Sequence, residues 1–144
     1  MQVVRSLETQ NAALVGFGIQ ILLIAADTGT GALHNRLAGL GGKMEQRTEL
    51  FEGLEAMIED PYDYGLCVID CDAIGGLEAG RRAVQMLTVA ARRIPVILVS
   101  GECRTQEFPT DSAAPVVLRA PASAVSMRVG FEHALRDRLT VRMI

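Results

Sequence analysis

The chain alternates continuous apolar runs with segments whose apolar residues recur at helical spacing. The first run, Ile19 to Ala26, is mostly Ile, Leu and Ala and does not alternate with polar residues. A continuous run of this kind suits a strand buried on both faces. Asp27-Thr28-Gly29-Thr30-Gly31 follows as a turn leading into a helix start. Leu33, Leu37 and Leu40 repeat at helical spacing, and Gly41-Gly42 stops that helix. Lys43 to Thr48 is short and polar and suits an edge strand. Leu50, Leu54, Met57 and Ile58 then share one face, with Glu52, Glu55 and Glu59 on the other. This predicts an amphipathic helix that Asp60-Pro61 ends.

The second half repeats the alternation. Gly65-Leu66-Cys67-Val68-Ile69-Asp70 is an apolar run ending in an acid. Leu77 to Arg92 reads as a long helix with Leu77, Gly80, Val84, Leu87 and Ala91 on one face and Arg81, Arg82 and Gln85 on the other. Ile94 to Val99 is a third apolar strand. Residues 101 to 114 are irregular, and Pro109 breaks any helix there. Val116-Val117-Leu118 is a short last core strand. Ala122 to Leu139 is the last helix, with Met127, Phe131 and Leu135 four apart and Glu132 and Arg136 placed for an i,i+4 pair.

Strands alternating with helices predict a parallel sheet covered on both faces. The fold class is therefore α/β: a doubly wound five-stranded parallel sheet of flavodoxin-like topology, with a short or missing fourth helix. Function in such folds gathers at the carboxyl ends of the strands near the switch point. That rule directs attention to Ala25, Ala26, Asp27, Asp70, Ser100, Arg119 and Ala120. Residues 1–18 are expected to form a leader, residues 19–139 one domain and residues 140–144 a tail.

Composition narrows the function classes. The net charge of -3 and pI near 5.4 give no basic footprint for nucleic acid. The arginines toward the C-terminus (Arg119, Arg128, Arg136, Arg138 and Arg142) read as a solvated helix face. Three cysteines, Cys67, Cys71 and Cys103, without a CxxC pair point away from a disulfide framework or zinc site. Reduced thiols in a cytoplasmic protein are the simplest account. The apolar stretch from Ala12 to Ala26 is broken by Gln20 and falls short of the ~20 residues a membrane span needs. The segment before it carries Arg5 and also Glu8, a poor start for a signal peptide.

Three runs carry a resemblance to a known family. Leu66-Cys67-Val68-Ile69-Asp70 resembles the strand that ends in the phospho-accepting aspartate of response-regulator receivers, the CheY-like family. Ile94-Pro95-Val96-Ile97-Leu98-Val99-Ser100 resembles the strand that ends in the family's switch Ser/Thr. Leu118-Arg119-Ala120-Pro121 resembles the segment where the family has Lys-Pro, and Gly76-Leu77-Glu78 the opening of its third helix. The resemblance covers residues 19 to about 139 and rests on the joint spacing of these landmarks. It implies Asp70 at the phospho-acceptor position, Ser100 at the switch position, and Arg119, Ala120 and Pro121 at the Lys-Pro position, with a cis Ala120–Pro121 bond. It also implies a protein partner, either a histidine kinase or a downstream regulator.

The departures are chemical. The family follows its first strand with two acids that hold Mg²⁺, and here those positions read Ala25-Ala26. Phosphoryl transfer needs a metal to offset charge on the phosphoryl oxygens. Magnesium asks for an octahedral oxygen shell that includes a carboxylate or two. Asp27 and Asp72 are the further acidic candidates beside Asp70, which makes any Mg²⁺ site weak, and no resident cofactor is expected. Ala120 stands at the Lys position if Pro121 aligns with the family proline. Arg119 in that role would bring a rigid fork in place of an ammonium.

The expectation is a stand-alone, atypical receiver: not an enzyme, acting by protein–protein contact, with phosphorylation at Asp70 weak or absent. Its output surface is expected on the last helix and the neighbouring strand edge, where self-association as a homodimer would cover an edge left by a lost helix. The rival reading is a flavodoxin-like nucleotide- or ligand-binding domain that uses Asp27 to Gly31 as a phosphate loop. The Gly29-x-Gly31 spacing lacks the third glycine of a dinucleotide loop, since His34 holds that slot. Plainer roles compete for several residues. Asp27 with Thr28 and Thr30 suits a helix cap, Ser100 a turn hydroxyl, and His34 and His133 helix-face positions.

Overall fold

A computed structural model of the chain describes residues 18–26, 31–90 and 94–137. The expected leader and tail therefore lie outside the described residues, apart from Gly18, and so does Asp27. The elements run β1 (Gln20–Ile24), α1 (Ala32–Gly39), β2 (Lys43–Arg47), α2 (Leu50–Glu59), β3 (Leu66–Asp70), α3 (Leu77–Ala90), β4 (Val96–Ser100), β5 (Val116–Arg119) and α4 (Ala124–Ala134). A single 3₁₀ turn, Cys71–Ala73, follows β3.

The sheet order is β2-β1-β3-β4-β5, and every neighbouring pair is parallel. The reversal of strand order falls between β1 and β3. There the carboxyl ends of adjacent strands leave a crevice. The doubly wound α/β fold expected from the apolar runs is the fold observed.

Two cores flank the sheet because successive side chains of each strand point to opposite faces. Ile21, Leu23, Val68, Val99 and Leu118 pack with Leu37 of α1 and Met127 and Phe131 of α4. Leu22, Ile24, Cys67, Ile69 and Leu98 pack with Leu54 and Met57 of α2 and Val84 and Leu87 of α3. Full burial of a large aliphatic side chain is worth about 1.5–3 kcal/mol, so these strands dominate the cohesion of the fold. Apart from Met44, the edge strand β2 is polar (Lys-Met-Glu-Gln-Arg), which disfavours pairing with another chain.

Both ends of the last helix and one side chain of α2 differ from the sequence expectation. The last helix begins at Ala124 because Ser123 caps it, its Oγ accepting from the Ser126 amide at 3.0 Å. The helix ends at Ala134, with Leu135 at its C-cap, and residues 138 and 139 are outside the described set. Ile58, expected on the buried face of α2, is 41% exposed. Gly53, Leu54 and Met57 are the α2 residues held fully against the sheet, and Ile58 sits next round the cylinder.

No α-helix forms between β4 and β5. Residues 101–115 instead make a fastened strap. Glu107 and Val117 exchange both backbone hydrogen bonds, at 2.9 and 3.0 Å, as an isolated antiparallel bridge. The Arg119 amide donates to Gln106 Oε1 at 3.1 Å. Further along, the Pro109 carbonyl accepts from His133 Nε2 at 2.6 Å and from Arg136, which also donates to the Thr110 carbonyl at 2.8 Å. Phe108 meets the His133 ring edge-on, and Glu107 pairs with Arg81 of α3 at 2.7 Å. The outer edge of β5 is thus covered by the chain itself.

Candidate functional site: the cleft at the carboxyl ends of β1 and β3

The crevice at the strand-order reversal is a cleft of about 210 Å³. Its floor is apolar, with Leu23, Ala25 and Val99. Asp70 brings the one carboxylate among the described lining residues, and His34, Arg36 and Gln46 bring the remaining charged and polar side chains. Ala120, Pro121 and Ala122 close the far side.

Each residue reaches its place through strand geometry. Asp70 ends β3 and is half-buried. Ala25 continues β1, is 6% exposed and puts a methyl group into the cleft. Its carbonyl accepts from Gln46 Nε2 at 3.4 Å, and its amide donates to the Arg47 carbonyl at 3.1 Å. Ala26 beside it is exposed. The Ala120–Pro121 peptide is cis. Strand alternation separates Arg119 from Ala120. Ala120 lines the Asp70 cleft, whereas the Arg119 guanidinium lies over the strap, donating from Nε to the Cys103 carbonyl at 3.1 Å and also to the Arg104 carbonyl.

Ser100 and Asp72 form a second cluster beside the cleft. Ser100 is fully buried at the end of β4. Its hydroxyl donates to Asp72 Oδ1 at 3.1 Å and accepts from the Glu102 amide at 3.1 Å. Asp72 Oδ2 accepts from the Gly101 amide at 2.9 Å. Both carboxylate oxygens of Asp72 are therefore committed to the turn after β4, and the two loops are clasped together. The clasp also lies against Cys71. Burial pushes the Cys71 thiol up to about 12, with the Asp70 and Asp72 charges adding to the rise. Burial pushes Cys67 up further still. Such thiols are protonated and unreactive at neutral pH.

The described residues offer a magnesium ion one carboxylate in the cleft, that of Asp70. They contain no group of three or more His, Cys, Asp or Glu side chains that could hold a metal. Methyl groups at Ala25 and Ala26 offer no oxygen, and Asp72 is turned to Ser100 and Gly101. Asp27 lies outside the described residues.

Sequence reasoning did not single out Arg36 and Gln46, and it took His34 for a helix-face residue. His34 does sit on α1, but it lines the cleft, and its buried Nδ1 meets no hydrogen-bond partner among the described residues. Arg36 donates to the Ala122 carbonyl. The available signal was position: α1 follows the β1 turn directly, so its first turns must border the crevice. His133 is a strap fastener, not a cleft residue.

No family model matches the sequence, and no curated protein aligns with it. Solved structures do match. A response-regulator receiver domain protein of Clostridium thermocellum superposes with a TM-score of 0.61 at 16% identity, covering 85% of this chain and 98% of that one. A response-regulator receiver protein of Burkholderia phymatum gives 0.59 at 21% identity, covering 82% and 95%. A pilus assembly-related protein of Burkholderia pseudomallei gives 0.55 at 17% identity, covering 82% and 90%. Strand order, crevice and these superpositions agree: the chain has the fold of response-regulator receiver domains.

Proposed function

We propose that this chain is a receiver-like signalling module that acts by protein contact, with phosphorylation at Asp70 weak or absent. The observation that carries the reading is the chemistry around Asp70. The cleft meets that carboxylate with Ala25 and Ala120, where the receiver pattern has an acid and a lysine. Ser100 is already bonded to Asp72 and the Glu102 amide. A phosphoryl group on Asp70 would meet no metal-binding carboxylate from Ala25 or Ala26 and no ammonium from position 120. Charge developing on its oxygens would be poorly stabilised. The partner is a histidine kinase or a downstream regulator. Self-association is not needed to cover β5, because the strap already does so.

The test is incubation with acetyl phosphate and Mg²⁺, followed by intact-mass spectrometry of wild type and Asp70→Asn. The expected outcome is little or no adduct in wild type and none in the variant, under conditions that label an ordinary receiver. A labile phosphoryl adduct in wild type alone, as abundant as that of an ordinary receiver, overturns the reading.

The second reading, a small-ligand-binding domain, draws on the unpartnered His34 Nδ1 in a cleft that also presents Asp70 and Arg36. It predicts a co-purifying chromophore or nucleotide. Purified protein with no absorbance beyond its tyrosines and no adduct in native mass spectrometry counts against it.

A further inference from the structure

We propose that the outer face of α2 is the docking surface for a basic amphipathic helix of a partner protein. This inference rests on the reading of the chain as a module that works by protein contact, and it names the surface and the chemistry of the partner.

Phe51 is 70% exposed, Ile58 41% and Tyr62 79%. Phe51 and Ile58 are two turns apart on α2, so they stand on one face of the helix. Glu55 lies on that face between them. Tyr62 follows just past the helix end. The opposite face holds Gly53, Leu54 and Met57 against the sheet, so the outward apolar residues have no role in the chain's own core. Large apolar side chains grouped on one exposed face mark an interaction site better than scattered ones do.

Charge identifies the occupant. Between Thr48 and Gly80 the sequence has nine Asp and Glu residues and no Lys or Arg. Six of these acids, Glu49, Glu52, Glu55, Glu59, Asp60 and Asp63, are on or beside α2, and all are exposed. The arginines that flank this stretch in the sequence have other partners: Arg47 pairs with Glu45, and Arg81 with Glu107. Among the described residues no α2 carboxylate takes part in an ion pair. An apolar stripe rimmed by uncompensated acids is complementary to a helix with an apolar face and Lys or Arg on its flanks. The same charge disfavours two other occupants. A second copy docking through a two-fold axis would bring the same acids face to face. An anionic membrane surface would repel them.

The test uses the full chain and two synthetic helical peptides, one of leucine and lysine and one of leucine and glutamate with the same pattern. Binding is mapped by backbone amide shifts. The leucine–lysine peptide is expected to shift residues 49–63, more weakly as salt rises. The leucine–glutamate peptide is expected to shift none of them. Phe51→Ser combined with Glu55→Lys is expected to weaken binding at least tenfold. Both positions are exposed, and unchanged circular dichroism verifies that the variant is folded. Shifts centred on α4 or on the Asp70 cleft, or equal binding by the variant, overturn the proposal. So does a wild-type dimer in sedimentation that Phe51→Ser dissolves, which would make the occupant a second copy. An abundant phosphoryl adduct on Asp70 would overturn the proposed function without moving the peptide map, so the two failures are distinguishable.

Discussion

Single atoms decide several properties of this chain. The Ser100 hydroxyl satisfies both the Asp72 carboxylate and the Glu102 amide in a fully buried position. Ser100→Ala leaves those partners short of a hydrogen bond and is expected to cost about 1–3 kcal/mol, read as a lower urea midpoint with an unchanged slope. Gly80 on α3 is a packing requirement of another kind. A Cβ there would lie 2.4 Å from Cys71 Sγ and 3.2 Å from Leu98 Cδ2. Gly80→Ala gains helix propensity but overpacks the core, and a net loss of about 1–3 kcal/mol is expected from the same measurement. What the sequence left open at this scale was direction. Spacing placed Asp72 near Asp70, but only the 3₁₀ turn after β3 turns its carboxylate to Ser100 and Gly101. Whether Arg119 or Ala120 faces Asp70 was equally open until the start and alternation of β5 were known.

Secondary elements were legible wherever burial writes a period into the chain. Continuous apolar runs marked β1, β3 and β4 because both faces of those strands are covered. Leucines at helical spacing marked α1, and the short polar segment Lys43 to Thr48 marked the edge. The strap was legible only as a missing helix. Its order comes from non-local pairings (Glu107 with Val117 and with Arg81, Pro109 with His133) that leave no local pattern. Its stability is accordingly expected to be local. His133→Ala with Arg136→Ala removes the α4 fasteners and should speed hydrogen exchange at Glu107 and Val117 while the β3 amides stay protected. Glu107→Pro deletes the donor to the Val117 carbonyl and reopens the edge of β5. Light scattering is expected to report self-association in that variant and none in wild type.

At the scale of the molecule, the buried thiols tie stability to pH. The Cys71 thiol is pushed from 9.0 to about 12, so between those values the unfolded chain gives up a proton that the folded chain keeps. Stability is complete below pH 9 and falls as pH rises through the folded value. Cys67, shifted in the same direction by burial, adds to the slope. Urea midpoints are expected to be flat from neutral pH to just below 9 and to decline beyond it, and Cys67→Ala should make the decline shallower. The clasp between Ser100 and Asp72 has a consequence for information as well as for folding. If Asp70 takes no phosphoryl group, as proposed, no new charge arrives to pull the clasped turn after β4 into a second conformation. Under the proposed function the chain's partner then responds to how many copies are present, along a simple saturation curve. Whatever sets the supply and removal of the chain becomes the signal.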